Sequence, residues 1–401
     1  MLLVTPRWTR DGGVATHAMA SASALARDGI AVAVLAARVE EEPSDGAITV
    51  HHSPRLFDPQ ASAETRLAGA LDSAPEVVHL HQFEDPDLLA VMRRSAPVLI
   101  SVHGYTACSS GVHYFKPGQE CARAHGPGCI PNLTLRGCAH TRNPASLPAA
   151  YRGASRGLAA IRGADLAISY SSAVDRHLAA NAVERRAVIP LFTTMVAKVG
   201  SGHAGRRRVV FAGRVIDAKG ASVLIRAASK IDAEVVICGD GWRTEAMRRL
   251  ARRLGVAERV HFRGWLGPEA LAEELAEASI VALPSLWPEP FGLVGIEALA
   301  AGRPVIASLT GGVGDWLADG VNGLAVQPGD VAGLAQALDE LLGDPARQAA
   351  LGAAGQAMVA ARFSPELHVA RLLEAYRSAR RSWEAQRERD GAVRERLAPT
   401  L

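Results

Sequence analysis

Two carboxylates, Glu289 and Glu297, stand eight residues apart in PSLWPEPFGLVGIEALAAGRPVIAS, residues 284–308. An apolar run at 280–283 reads as a buried strand before them, and a second strand at 304–308 follows. Glu289 falls in a Pro-rich turn, and Glu297 lies about two turns into a helix of roughly 3.6 residues per turn. Pro290 suits the first helical position, where a missing N–H costs nothing. Phe291, Gly292, Leu293 and Val294 then carry the N–H groups that a helix start leaves unpaired. With the positive end of the helix dipole behind it, such a start seats a phosphate. Gly292 and Gly295 let a ligand come close to the backbone. The chemistry implied is an anion seat between two acids. A diphosphate with hydroxyls on both ends matches it, and a nucleotide-sugar is such a molecule.

The elements that must position these groups alternate. Apolar strands are expected at residues 2–5, 31–36, 48–52, 77–81, 98–102, 166–170 and 187–190, with helices at 14–27 and 86–94. A second series has strands at 209–212, 234–238, 260–262, 280–283 and 305–307, with helices at 221–230 and 243–254. Short apolar strands alternating with helices predict parallel sheets covered on both faces. The fold class is therefore α/β, with two Rossmann-like doubly wound domains facing across a cleft. The first spans 1–194 and the second 208–365, joined by a small, polar and basic linker at 195–207. Helices follow at 331–342, 345–361 and 365–385, and the charged end, residues 386–401, is expected to fray. The segment 366–401 is expected to pack back toward the first domain. Ligands of such sheets bind beyond the carboxyl ends of the strands, where every motif named here falls.

The 284–308 string, with its two glutamates, resembles the donor-binding signature of the retaining family-4 glycosyltransferases, which have the two-domain GT-B fold. The resemblance covers nearly the whole chain and is strongest over residues 209–328. It implies transfer of a sugar from a UDP- or GDP-sugar to a hydroxyl of a glycan, glycolipid, lipid-linked or small-molecule acceptor. It assigns Glu289 to the transferred sugar and Glu297 to the ribose hydroxyls, a good geometric match for a carboxylate. Arg214 and Lys219, in FAGRVIDAKG (211–220) after Gly213, match the family's diphosphate-gripping cations. Two fixed cations stabilise charge on a leaving diphosphate, so no catalytic metal is implied. Gly239 in CGDGW permits a tight turn near the nucleotide, and Arg263 in FRGWL is a neighbour of the base. Gly12 and Gly13, in PRWTRDGGVATHA (6–18), resemble the Gly-rich loop over the diphosphate, while His17 reads as a packing residue. His103 in SVHGY matches the position near the reacting sugar, and His79 and His81 in the neighbouring HLH are candidates for the acceptor pocket. A GT-B phosphorylase or sugar-phosphate synthase, and a non-catalytic GT-B partner subunit, are the alternatives.

Residues 105–144 depart from the common pattern. This stretch is expected to be a long loop, and it holds four of the five cysteines: Cys108, Cys121, Cys129 and Cys138. Clustered cysteines in a cytoplasmic chain favour metal over disulfides. A structural zinc, reduced packed cysteines and disulfides remain three readings of the loop, because the paired CxxC of common zinc sites is missing.

Composition sets the outer bounds. The chain has 401 residues, 48% hydrophobic and 21% charged, as soluble globular proteins do. A net charge of +3 makes no case for a nucleic-acid partner. No stretch approaches the roughly 20 apolar residues that cross a bilayer, and the first residues lack the apolar core of a signal peptide. The expected location is the cytoplasm, with Arg152, Arg156 and Arg162 on one helix as candidates for peripheral contact with the inner face of the membrane. Oligomeric state is not legible.

Overall fold

A computed structural model describes residues 1–9, 12–42, 46–82, 85–108, 114–116, 119–135, 138, 144–195 and 207–397. The first half runs β1 (Leu2–Trp8), α1 (Gly13–Arg27), β2 (Val32–Val39), β3 (Ile48–His52), α2 (Ala63–Leu67), β4 (Val78–His81), α3 (Pro86–Ser95) and β5 (Val98–Val102). It continues through β6 (Tyr114–Lys116), β7 (Gln119–Glu120), α4 (Cys129–Leu135), α5 (Leu147–Gly163), β8 (Leu166–Ser169), α6 (Ser172–Ala180) and β9 (Arg186–Val188). The second half runs β10 (Arg208–Ala212), α7 (Ala221–Ala228), β11 (Glu234–Cys238), α8 (Thr244–Arg253), β12 (Val260–Gly264), α9 (Pro268–Ala276) and β13 (Ile280–Leu283). It ends with α10 (Leu293–Ala300), β14 (Val305–Ser308), β15 (Gly323–Val326), α11 (Val331–Leu342), α12 (Pro345–Arg362) and α13 (Pro365–Leu397).

Two parallel sheets result. One has the order β3-β2-β1-β4-β5-β8-β9 and the other β12-β11-β10-β13-β14-β15. In each, the chain lays strands to one side of the first strand and then crosses to the other. The crossing points lie between β1 and β4 and between β10 and β13. Crevices for ligands open at such switch points, beyond the strand ends. The central strands β5 and β13 are buried at every residue, as strands covered by helices on both faces must be.

Local signals start the helices where the site needs them. Ser171 caps α6 by accepting the Val174 N–H, and Asp344 caps α12 with Pro345 behind it. The long α13 returns to the first sheet. There Trp383 Nε1 donates to Arg93 O at 2.8 Å, and Arg380 pairs with Glu76 at 2.6 Å. The two halves also meet at α6, where Ser172 N and Oγ donate to Asp315 at 2.7 and 2.6 Å.

Several expectations need correction. Helix α10 starts at Leu293 with Gly292 as its left-handed cap, at φ 86°, so Pro290 precedes the helix instead of opening it. Strand β15 was not anticipated, because GLAV is only four residues long and sits among turn residues. Helix α13 continues to Leu397 instead of fraying after 385. Ion pairs one turn apart, such as Arg380 with Glu384 at 2.9 Å, support a charged helix on its own. The Cys-rich stretch is not structureless. It holds the β6–β7 hairpin and α4. Most of the expected linker, 196–206, lies outside the described residues.

Candidate functional site

The two sheets point their carboxyl ends at a cleft of about 1340 Å³. From the second domain it is lined by Gly213, Arg214, Lys219, Glu289, Glu297 and the Phe291–Val294 backbone turn. From the first it is lined by Gly12, Gly13, His17, His103 and Tyr170. Glu289 is 3% exposed, and Lys219 Nζ donates to both of its oxygens, at 2.7 and 2.8 Å. Ser285 Oγ donates to the same carboxylate. The Lys219 ammonium also lies over the Trp287 ring, 5.5 Å from its centre. A buried carboxylate thus holds the ammonium at one place in the cleft wall. Arg214, one turn of backbone away, is exposed and has no carboxylate partner among the described residues. It remains available to a ligand.

The chain brings Glu289 here because of its neighbours across the turn. Gly312 N donates to Glu289 O at 2.7 Å. Gly311, at φ 61°, lies so close that an added Cβ would stand 2.2 Å from that carbonyl. Farther along, Trp316 lies flat on α10. Its Nε1 donates to Phe291 O at 2.6 Å, and a Cβ on Gly295 would meet the ring at 2.2 Å. Glu297 sits on α10 and lines the cleft. Burial pushes its pKa up to about 7. The Phe291 side chain turns away into the core, edge-on to Phe363 at 5.7 Å, so only its backbone belongs to the cleft.

Two expected donor contacts fall elsewhere. Gly239 is absent from the cleft lining, and its place is explained by packing, since a Cβ there would stand 1.9 Å from Gly213 O. Arg263 also lies outside the lining. It is turned toward Glu274, at 2.7 Å, which in turn pairs with Arg208 at 2.5 Å. Trp265, 51% exposed, lines the cleft from that loop instead.

On the facing wall, His79 and His81 are not among the residues that line the cleft. They are 1% and 0% exposed, and they form part of a buried polar cluster behind His103. Burial holds His79 and His103 near pKa 3 and His368 near 4, with His17 and His81 also well below the usual histidine range. All five are therefore neutral at pH 7. His17 packs against Tyr170, with ring centres 5.0 Å apart, as a packing residue does.

The four cysteines of the insertion form no disulfide, and among the described residues no three of His, Cys, Asp and Glu gather closely enough to hold a metal ion. Burial raises the Cys121 thiol pKa, and Cys108 and Cys129 are near enough to add to the shift. From the same insertion, Glu120 accepts the Gly311 N–H at 2.8 Å, so the hairpin crosses the cleft to the turn beside Glu289. Of the arginines on α5, Arg156 pairs with Asp85 and Asp87, and Arg162 donates to Asn181 O. No helix among the described residues is long and apolar enough to cross a membrane.

The residues not anticipated are Ser285, Trp287, Trp265, Ser101 and Tyr170. Ser285 carried a local signal, four residues before Glu289. Tyr170 and Ser101 carried none, since strands far apart in the chain bring them together.

A two-sheet α/β fold with this cleft defines a class. The Glycosyltransferase Family 4 model matches residues 11–192, and the Glycosyl transferases group 1 model matches residues 198–358. The chain belongs to the family-4 glycosyltransferases with the GT-B fold. It is 38% identical over 207 residues to a D-inositol 3-phosphate glycosyltransferase of Nocardia farcinica, covering 49% of this chain and 45% of that one. It is 39% identical over 170 residues to a GDP-mannose-dependent monoacylated alpha-(1-6)-phosphatidylinositol monomannoside mannosyltransferase of Corynebacterium glutamicum, covering 40% and 44%. The chain spans less than half the length of these curated relatives. The fold matches sucrose-phosphate synthase from Thermosynechococcus elongatus, with TM-score 0.71, 22% identity, and 94% and 98% of the two chains covered. It also matches Anabaena HepE in complex with UDP-glucose, with TM-score 0.67, 21% identity, and 94% and 99% covered.

Proposed function

We propose that the protein moves a sugar from a nucleotide-sugar to a hydroxyl of a carbohydrate, lipid-linked or small-molecule acceptor, with retention at the anomeric carbon. The observation that carries this is the pairing of Lys219 with Glu289 in a cleft that also contains Arg214, Glu297 and the glycine-capped start of α10. The α10 N–H groups and Arg214 bind the diphosphate. Glu297 accepts the ribose hydroxyls. Lys219, held by Glu289, meets the charge that develops as the glycosidic C–O bond breaks. The acceptor oxygen attacks from the same face, and its proton passes to the departing phosphate oxygen. Nucleoside diphosphate leaves, and the new glycosidic bond keeps the donor's configuration.

Lys219, held on Glu289, and Arg214 supply the charge stabilisation at the leaving group, and no divalent ion takes part in these steps. UDP and GDP donors both suit the seat, and relatives named for GDP-mannose support a purine as one candidate base.

The test is release of nucleoside diphosphate from a panel of UDP- and GDP-sugars, followed by proton NMR of the product's anomeric centre. Retention in a product formed with one donor supports the reading. Inversion, or no cleavage of any donor with and without acceptors, overturns it.

A further inference from the structure

Behind His103 a chain of buried polar side chains crosses the first sheet. Tyr170 OH donates to Ser101 Oγ at 2.7 Å. Ser101 Oγ meets His79 Nε2 at 2.8 Å, and His79 Nδ1 meets Tyr376 OH on α13 at 2.9 Å. His81 Nδ1 meets His103 Nε2 at 3.0 Å. None of these groups is needed to close a sheet, and each carries a cost of burial unless it is paired.

We infer that His81 sets the tautomer of His103, presenting the His103 Nδ1–H to the cleft as a fixed hydrogen-bond donor. The reasoning is an accounting of protons. Between two neutral imidazoles only one ring nitrogen of the pair carries the shared proton. Tyr170 spends its proton on Ser101, and it stands 3.5 Å from His103 Nε2, so it does not supply that nitrogen. If His103 Nε2 held the proton, His81 would carry its own on Nε2. That atom is sealed from solvent with no hydrogen-bond partner. A sealed N–H is the rarer and costlier orphan, and a bare ring nitrogen is the better occupant of such a site. His81 Nδ1–H therefore donates, and His103 Nε2 accepts. The other His103 nitrogen, Nδ1, then carries a proton. It makes no hydrogen bond among the described residues and is not sealed, and His103 lines the cleft. Burial keeps both rings neutral at working pH, so the arrangement does not titrate away.

His81 is thus a positioning residue. It turns an ambiguous imidazole into a donor for a substrate oxygen, such as a hydroxyl of the bound sugar. Specificity follows, because a fixed donor rejects a group that has no acceptor to offer. The consequence for catalysis rests on the transfer reading above, whereas the tautomer does not.

The test uses the full chain labelled with nitrogen-15 in histidine. Long-range proton–nitrogen spectra distinguish protonated from bare ring nitrogens, and loss of signal in His103→Asn identifies His103. The expected result is a protonated Nδ1 and a bare Nε2. A protonated Nε2 overturns the inference whether or not the enzyme transfers sugar. Two variants then probe the consequence. His81→Asn keeps an N–H where Nδ1 stands, and His81→Leu removes it. With the preferred donor, His81→Leu is expected to lower kcat about tenfold, with KM within about twofold, the equivalent of one net hydrogen bond. His81→Asn is expected to recover most of that loss. Equal losses in both variants, or none in His81→Leu, reject the positioning role. Should His81→Leu fail to fold, the wild-type spectrum and the His81→Asn rates still decide.

Discussion

The two walls of the cleft solve opposite problems. The second-domain wall is built around charge: Lys219 on Glu289, Arg214 beside them, and a turn at Gly311 so tight that a Cβ would stand 2.2 Å from Glu289 O. The first-domain wall is built from groups that stay neutral: His103 at the cleft, the buried His17, His79, His81 and His368 behind it, and Ser101, Tyr170 and Tyr376 hydrogen-bonded around His79. A charged wall grips an anion, and a neutral wall orients uncharged hydroxyls. That division matches a ligand with a diphosphate at one end and a sugar at the other.

On the proposed reading Glu297 holds the ribose, and its removal should have the largest effect on donor binding. Glu297→Ala should weaken donor binding roughly 10- to 100-fold, the loss of a charged group's hydrogen bonds, read by isothermal titration with the nucleoside diphosphate. Unchanged affinity would remove Glu297 from the nucleotide site. Its titration gives a second readout. On that reading only the ionised carboxylate accepts both ribose hydroxyls, and its pKa is raised to about 7. Nucleotide affinity should therefore rise about tenfold from pH 6 to pH 8, following the ionised fraction. Glu297→Gln should flatten that profile.

The neutral wall predicts an acid sensitivity of opposite origin. His79 and His103 are depressed to about 3 and His368 to about 4 in the fold, and burial also holds His17 and His81 well below the usual value of about 6.5. Between pH 6.5 and 4 the unfolded chain binds more protons, so this stability is complete above pH 6.5 and drains away as pH falls. Glu297 acts in the other direction. Its raised pKa contributes stability present below its unfolded value and lost as pH rises through about 7. Five groups outweigh one, and urea midpoints should fall between pH 7 and 5. A midpoint flat across that range would mean that the histidines gain water or charge in solution.

The smallest effect expected is on packing. Gly295→Ala sets a methyl against the Trp316 ring and should cost about 1–3 kcal/mol. Urea denaturation checks this, and a neutral or stabilising result would mean that α10 is not packed as described.

Sequence reading reached the two walls unequally, for a physical reason. The charged wall is local. Glu289, Glu297, Arg214 and Lys219 sit in short motifs at strand ends, where a turn, a cap and a carboxylate can be read within ten residues. The overall α/β alternation was legible for the same reason, since each strand is a short apolar run. The neutral wall is made at long range. His79 meets Tyr376, 297 residues away, and Ser101 meets Tyr170, 69 away. No spacing rule connects them, so HLH looked like pocket lining when it is the support behind it. Arg263 failed differently. The motif placed it on the right loop, but Glu274 on α9, eleven residues on, captures its side chain.

The measurement closest to the central claim is single-turnover donor cleavage by Lys219→Ala, with donor affinity determined separately. On the proposed reading Lys219, held on Glu289, meets charge that exists only as the diphosphate departs. The chemical step should therefore slow about 100- to 1000-fold, the size of one fixed electrostatic donor. Affinity for the intact nucleotide-sugar should change far less. A variant that binds donor poorly but cleaves bound donor at the wild-type rate would contradict the account, because Lys219 would then be a binding residue alone.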